Sequence, residues 1–161
     1  MAEEYRYFTV QKSGEVAIVT LNRPDKLNAF SIGMLYEFND IVEDLRRDLK
    51  RRFVVLTGTG RAFCAGIDVT REARDEWYDA RQPNERVFQE SGQNVVRNFT
   101  NLHQITIAAI NGPVAGMGIP IVLCCDLRFA SDQATFITAF SRRGLIAEWG
   151  SSWLMPRVIG P

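Results

Sequence analysis

Apolar positions along the chain alternate between short runs and helical spacings. VAIVTLN (Val16 to Asn22) is β-branched and apolar, which predicts a strand. After the polar stretch RPDKLNAFS, the residues Met34, Leu35, Phe38, Ile41, Val42, Leu45 and Leu49 recur at three- and four-residue spacing. That pattern predicts a helix, with Ser31 placed to cap it. FVVLT (Phe53 to Thr57) reads as a second strand and runs into the glycine-rich GTGRAFCAG (Gly58 to Gly66). The segment from Asp68 to Arg86 is dense in charge and shows no period, so a mobile excursion is expected there. Val87, Phe88, Val95, Val96, Phe99 and Leu102 fit a helix, interrupted by Gly92. ITIAAI (Ile105 to Ile110) reads as a strand, GPVAGMGIP (Gly112 to Pro120) as a second glycine turn, and Ile121 to Cys125 as a helix. LRFAS (Leu127 to Ser131) and the segment near Phe136 read as strands, and a last helix is predicted over Trp149 to Val158.

A strand, a glycine-rich turn and a helix occur in that order at 53–70 and again at 105–125. This alternation predicts an α/β fold with mainly parallel pairing. The 161 residues suffice for one domain with a core of its own. Apolar residues make up 46% and charged residues 24%, an ordinary globular balance. With 19 basic and 19 acidic residues the chain has no basic surplus, which argues against nucleic acid as a partner. The one basic cluster, RRDLKRR (Arg46 to Arg52), is broken by Asp48 and suits the solvated end of a helix. No apolar run approaches ~18 residues, so no membrane span is predicted. MAEEYRYF does not read as a signal peptide. The three cysteines, Cys64, Cys124 and Cys125, are odd in number and lack metal-binding spacing. They read as reduced, buried thiols of a cytoplasmic protein.

Side-chain chemistry is sparse. His103 is the only histidine, and it has no acid or nucleophile near it in sequence. G-x-S-x-G is absent, so a serine triad has no support, and a zinc site lacks its ligands. No lysine follows the glycines as a Walker loop requires. G-T-G-R-A-F departs from a dinucleotide fingerprint at Phe63, where a third glycine is needed. What remains is the backbone. A glycine turn that opens a helix leaves N–H groups without intrahelical partners. Two such turns, at Cys64 to Asp68 and Ala115 to Gly118, are either plain turns or two sets of donors for one developing negative charge.

The chain resembles the crotonase (enoyl-CoA hydratase/isomerase) superfamily over nearly its whole length. VTLNRPDKLNAFS, GRAFCAGIDV, AAINGPVAGMGIPIVLCCDLRFAS and FSRRGLIAEWGSSWLMPRVIG carry the match in order and spacing. The resemblance implies an α/β crotonase-like ββα superhelix, with residues 1–161 as an acyl-CoA-binding core lacking the family's C-terminal helical region. It also implies a trimer or hexamer for the complete family chain, and an acyl-CoA substrate. No separate cofactor is implied, since coenzyme A is part of the substrate. Carried over by motif, the thioester carbonyl lies between the backbone N–H groups of Ile67, after Ala65-Gly66, and Met117, in Gly116-Met117-Gly118. Lys26, Leu27, Ala65 and Asp68 match positions that contact the pantetheine and adenine parts.

Two departures bear on the reaction. Hydratases of this family use two glutamates, and their places are taken here by Pro120 and Gly144. The wording G-L-I-A-E-W-G-S-S resembles members that place one acid at the position of Glu148. One carboxylate suffices to shift a double bond, so isomerisation is the simplest reaction implied, with hydration close behind. A helix-end role for Glu148 is the competing reading, and an acyl-CoA-binding or partner-binding homologue without turnover is the competing function. Asp126 is expected to be structural.

Overall fold

The structure, a computed structural model, describes residues 2–73, 75 and 94–160. Its strands are β1 (Ala2–Glu4), β2 (Phe8–Ser13), β3 (Val16–Leu21), β4 (Phe53–Gly58), β5 (Ile105–Ile110), β6 (Val114–Ala115), β7 (Leu127–Ala130) and β8 (Phe136–Ile137). The described helical residues fall in α1 (Ile32–Arg47), at 71–73 and 75, in α2 (described over residues 94–100), in α3 (Gly118–Leu123) and in α4 (Ser151–Ile159). Six strands form one sheet in the order β1-β2-β3-β4-β5-β7, and β6 pairs with β8 in a separate small sheet. The large sheet is antiparallel from β1 to β3 and parallel from β3 to β7, with Val16 opposite Phe53, Phe53 opposite Ile105 and Ile107 opposite Leu127. The α/β expectation with mainly parallel pairing therefore holds.

The period of α1 is the period of its burial. Met34, Leu35, Phe38, Ile41, Val42 and Leu45 all face the core, and Ser31 Oγ accepts the Met34 N–H at 3.3 Å, as its capping position predicts. Phe38 anchors the centre: its ring stacks on Phe8 at 5.7 Å and meets Phe99 of α2 at 5.7 Å. Aromatic pairs at such spacing add about 1 kcal/mol each beyond area burial.

Several boundaries differ from those predicted. The helix α1 ends at Arg47, where the Asp48 N–H is shared between the Asp44 and Leu45 carbonyls, so Leu49 lies outside it and is 82% exposed. The helix predicted at Ile121–Cys125 begins earlier, at Gly118, and ends at Leu123. The last helix begins at Ser151 rather than Trp149, because Trp149 (φ 55°) and Gly150 (φ 75°) are both left-handed and cannot continue a right-handed turn. The strands β1 and β2 were not anticipated. The expected excursion at Asp68–Arg86 and the first part of the predicted helix from Val87 lie mostly outside the described residues.

Cys64, Cys124 and Cys125 are free and buried, and burial pushes each thiol up to about 12. His103 is exposed. Asp126 is structural as expected. Its Oδ2 accepts both the N–H and the hydroxyl of Thr106 at 2.7 Å, and Thr106 Oγ1 accepts the Asp126 N–H at 2.9 Å. This clip ties the chain leaving α3 to the start of β5.

Candidate active site

The first glycine turn, Cys64 to Asp68, is held between two other stretches of chain. On one side Cys64 bridges Val114: its N–H donates to the Pro113 carbonyl at 3.2 Å and its carbonyl accepts from the Ala115 N–H at 2.8 Å. On the other side the Ala65 N–H donates to the Leu27 carbonyl at 3.0 Å. An ordinary strand would continue that alternation. Gly66 (φ 101°) breaks it, and its carbonyl accepts the Phe30 N–H at 2.8 Å instead. The Asp68 N–H then donates to the Phe30 carbonyl at 2.9 Å, completing a parallel bridge between Phe30 and Ile67. In such a bridge the residue between the two bonded peptides turns its own N–H and C=O to the opposite side. Ile67 thus directs its N–H away from Phe30, to the side on which Val114–Gly116 runs. That N–H donates to no oxygen among the described residues.

The second turn is built the same way. The Gly116 N–H donates to the Ile137 carbonyl of β8 at 3.0 Å, and the Gly116 carbonyl accepts from the Ile119 N–H at 3.0 Å. Between these engaged groups the Met117 N–H has no oxygen partner among the described residues. Met117 is 2% exposed and its side chain is part of the core. The turns touch: a Cβ on Gly66 would lie 3.2 Å from the Ala115 oxygen and 3.5 Å from the Gly116 Cα. The Cys64–Val114 bridge and the close approach of Gly66 to Gly116 hold the two turns side by side. Two backbone donors without an oxygen partner among the described residues thus lie in two neighbouring turns. Ala65, Ile67 and Gly116 keep part of their surface open to solvent.

The segment from Arg23 to Phe30 lies against the first turn. Lys26 closes a 3-10 turn, Pro24–Lys26, and is exposed; Leu27 is half-buried and left-handed (φ 51°). Asp68 is placed differently from these. Its carboxylate is buried, lies 2.7 Å from Arg23 Nη1 and accepts the Thr70 N–H at 3.0 Å. Burial works to raise its pKa, but the hydrogen bonds from Thr70 and the Arg23 guanidinium outweigh it and hold the carboxyl below its ordinary value. The side chain acts as a brace for the turn and is not directed to solvent. Sequence reasoning missed Arg23, Asn28 and Asn111, whose side chains hold these loops. The only signal was that polar residues recur in a stretch the fold buries.

The family model for enoyl-CoA hydratase/isomerase matches residues 11–161. The chain belongs to the enoyl-CoA hydratase/isomerase family. Among curated relatives, it is 38% identical over 149 residues to a probable enoyl-CoA hydratase of Mycobacterium leprae, covering 91% of this chain and 51% of the relative. It is 38% identical over 146 residues to the 1,2-epoxyphenylacetyl-CoA isomerase of Escherichia coli, covering 90% of this chain and 55% of that one. The crystal structure of an enoyl-CoA hydratase from Bacillus anthracis superposes with a TM-score of 0.84 at 30% identity, covering 97% of this chain and 59% of the other. The chain spans about half the length of the curated relatives it matches.

Within this hydratase/isomerase fold, Pro120 sits buried in the first turn of α3, and Gly144 is exposed at the end of the 3-10 turn Ser141–Arg143. Glu148 is half-buried and precedes the left-handed pair Trp149-Gly150. Its carbonyl accepts the Ser151 N–H at 2.9 Å, while its carboxylate takes no hydrogen-bond or ion-pair partner among the described residues. The helix α4 that follows Glu148 packs on α3, the helix that follows Met117. No group of His, Cys, Asp and Glu suited to a metal occurs among the described residues.

Proposed function

We propose that this protein acts on an acyl-CoA thioester and moves a proton at the carbons next to the carbonyl. In this reading the N–H groups of Ile67 and Met117 form an oxyanion hole, and Glu148 is the one acid. Removing a proton beside a thioester, or adding water across a conjugated double bond, places enolate charge on the carbonyl oxygen. Two fixed donors stabilise that charge more than they stabilise the neutral substrate. Such donors contribute about 3 kcal/mol each. The observation that carries the reading is the pair of unengaged amides on two touching glycine turns.

The roles divide among named residues. Lys26, Leu27 and Ala65 border the pantetheine and adenine parts, Gly66 and Gly116 let the backbone approach the carbonyl, and Asp68 braces the first turn. For a 3-enoyl thioester, Glu148 takes the proton from C2 while the enolate oxygen rests between the two amides. The same carboxyl returns a proton at C4, so the double bond moves into conjugation. The free carboxylate of Glu148 supports this role over helix capping. Hydration needs an activated water as well as a proton donor, and with Pro120 and Gly144 in the places of the two hydratase acids it requires more of Glu148 alone. Isomerisation is therefore the first reaction in this reading. Assembly as a trimer or hexamer and a place in fatty acid metabolism accompany it.

Product analysis with 2-enoyl- and 3-enoyl-CoA in deuterated water tests the proposal. The expected result is a shifted double bond with deuterium at C2 or C4. Binding of acyl-CoA with neither exchange, isomerisation nor hydration overturns it in favour of a homologue without turnover.

A further inference from the structure

We propose that Asn28 is a positioning residue that couples the coenzyme-facing segment to the first amide donor; this rests on the reading of the Ile67 N–H as an oxyanion donor. Asn28 is fully buried and left-handed (φ 56°), directly after the left-handed Leu27. Asparagine is among the few residues that accept that backbone, because its short carboxamide can bond locally. Here the carboxamide does more than bond locally. Its Oδ1 accepts the Arg23 N–H at 2.9 Å, and its Nδ2 donates to the Thr59 carbonyl at 3.0 Å and the Ala62 carbonyl at 2.9 Å. Both amide hydrogens and the acceptor are used, and one side chain joins two turns distant in sequence.

The surroundings pack closely on that side chain. A Cβ on Gly58 would fall 2.9 Å from Asn28 Nδ2 and 2.7 Å from the Ala62 and Phe63 oxygens, so the turn closes tightly around the carboxamide. Asn111 holds the same turn from its other side, accepting the Gly58 N–H at 3.1 Å and donating to the Gly60 carbonyl at 2.9 Å. The residues flanking Asn28 then reach forward. Leu27 receives the Ala65 N–H, and Phe30 bonds to Gly66 and Asp68 on either side of Ile67. The direction of the Ile67 N–H therefore depends on the register between 23–30 and 59–68, and the Asn28 carboxamide sets that register. Lys26 and Leu27, the residues proposed to meet the coenzyme, lie on the same segment. Binding energy from the remote end of the substrate is thus carried to the reacting carbonyl through Asn28, an arrangement that raises turnover more than affinity.

The test uses Asn28→Gly and Asn28→Asp in the intact protein. Glycine keeps the left-handed backbone and removes the clamp; aspartate keeps the shape and the acceptor but loses both donors. The measurements are kcat on enoyl-CoA and on the matching enoyl-pantetheine thioester, which lacks the nucleotide, and the Kd of a saturated acyl-CoA. Asn28→Gly is expected to lower kcat on enoyl-CoA about a hundredfold. The Kd should change less than about threefold, since the loss falls on the transition state. The rate advantage of enoyl-CoA over the pantetheine thioester should largely disappear. An unchanged kcat, a parallel change in kcat and Kd, or a retained advantage overturns the proposal. Should the glycine variant fail to fold, Asn28→Asp decides. A protonated carboxyl can donate to one of the two carbonyls, so its activity relative to the parent should rise as pH falls, and a flat ratio overturns the proposal. A parent protein without turnover on any enoyl thioester overturns the functional reading, and this inference with it.

Discussion

Gly66 and Gly116 meet through their backbones, and a Cβ on either would lie 3.5 Å from the Cα of the other. Both are left-handed, at φ 101° and 49°. An alanine at position 66 is therefore strained twice, by its backbone and by a Cβ 3.2 Å from the Ala115 oxygen. Gly66→Ala is expected to cost about 1–3 kcal/mol of stability. By rotating the Ile67 amide it should also lower kcat about a hundredfold. Gly14→Ala, in the turn between β2 and β3, is the control, being left-handed with nothing within 4 Å of its Cβ. It should lose about 1 kcal/mol and no activity per folded molecule. Urea denaturation and steady-state rates on enoyl-CoA check both variants.

Glu148 is the one acid in its motif with no bonding partner among the described residues, so Glu148→Gln removes proton transfer without removing a structural contact. Turnover should fall at least about a hundredfold. The thermal midpoint and the Kd of a saturated acyl-CoA should stay close to the parent's. Retained activity on both 2-enoyl and 3-enoyl substrates would show that another group moves the proton.

The elements that could be read from the sequence are those whose residues answer to a local rule. The helix α1 was visible because Ser31 caps it and its apolar residues keep one face. The two turns around Gly66 and Gly116 were visible because only glycine suits them, and the motif pointed to Ile67 and Met117 within them. The strands β1 and β2 were hidden by the polar alternation of FTVQKS, which gains meaning only once β2 pairs with β3. The part played by Asp68 was also hidden. Its carboxylate lies against Arg23, a residue far away in sequence. No local pattern encodes such a pair.

The Arg23–Asp68 pair gives a pH dependence of defined sign. The folded-state pKa of Asp68 lies below its unfolded value of 3.8. The unfolded chain then binds the proton more readily, so the stabilisation is fully present above pH 3.8 and is lost as pH falls through the folded value. Asp68→Asn should cost about 2 kcal/mol at pH 7, because the half-buried Arg23 guanidinium loses its charged partner and keeps only the Ala29 carbonyl among the described residues. The stability difference between parent and variant should shrink below about pH 4. Guanidinium chloride would screen the pair, so urea titrations at pH 7 and pH 3 are the appropriate measurement.

Apolar side chains gather at the surface between Leu127 and Ile159. All four residues of β7 are exposed at one edge of the sheet, with Phe129 at 64%, while Ile146 reaches 81% and Trp153 of α4 59%. Single exposed apolar residues are ordinary, but a concentration of this kind marks a surface that associates. An edge strand adds unpaired N–H and C=O groups to that tendency. The 161-residue chain is therefore expected to self-associate, with a sedimentation coefficient that rises with concentration. Replacing Phe129 by Glu should shift the distribution to smaller species, because a charge on that edge is costly to bury. A parent protein that stays monomeric across the concentration range, or a Phe129→Glu variant that associates as the parent does, would place the association elsewhere or remove it.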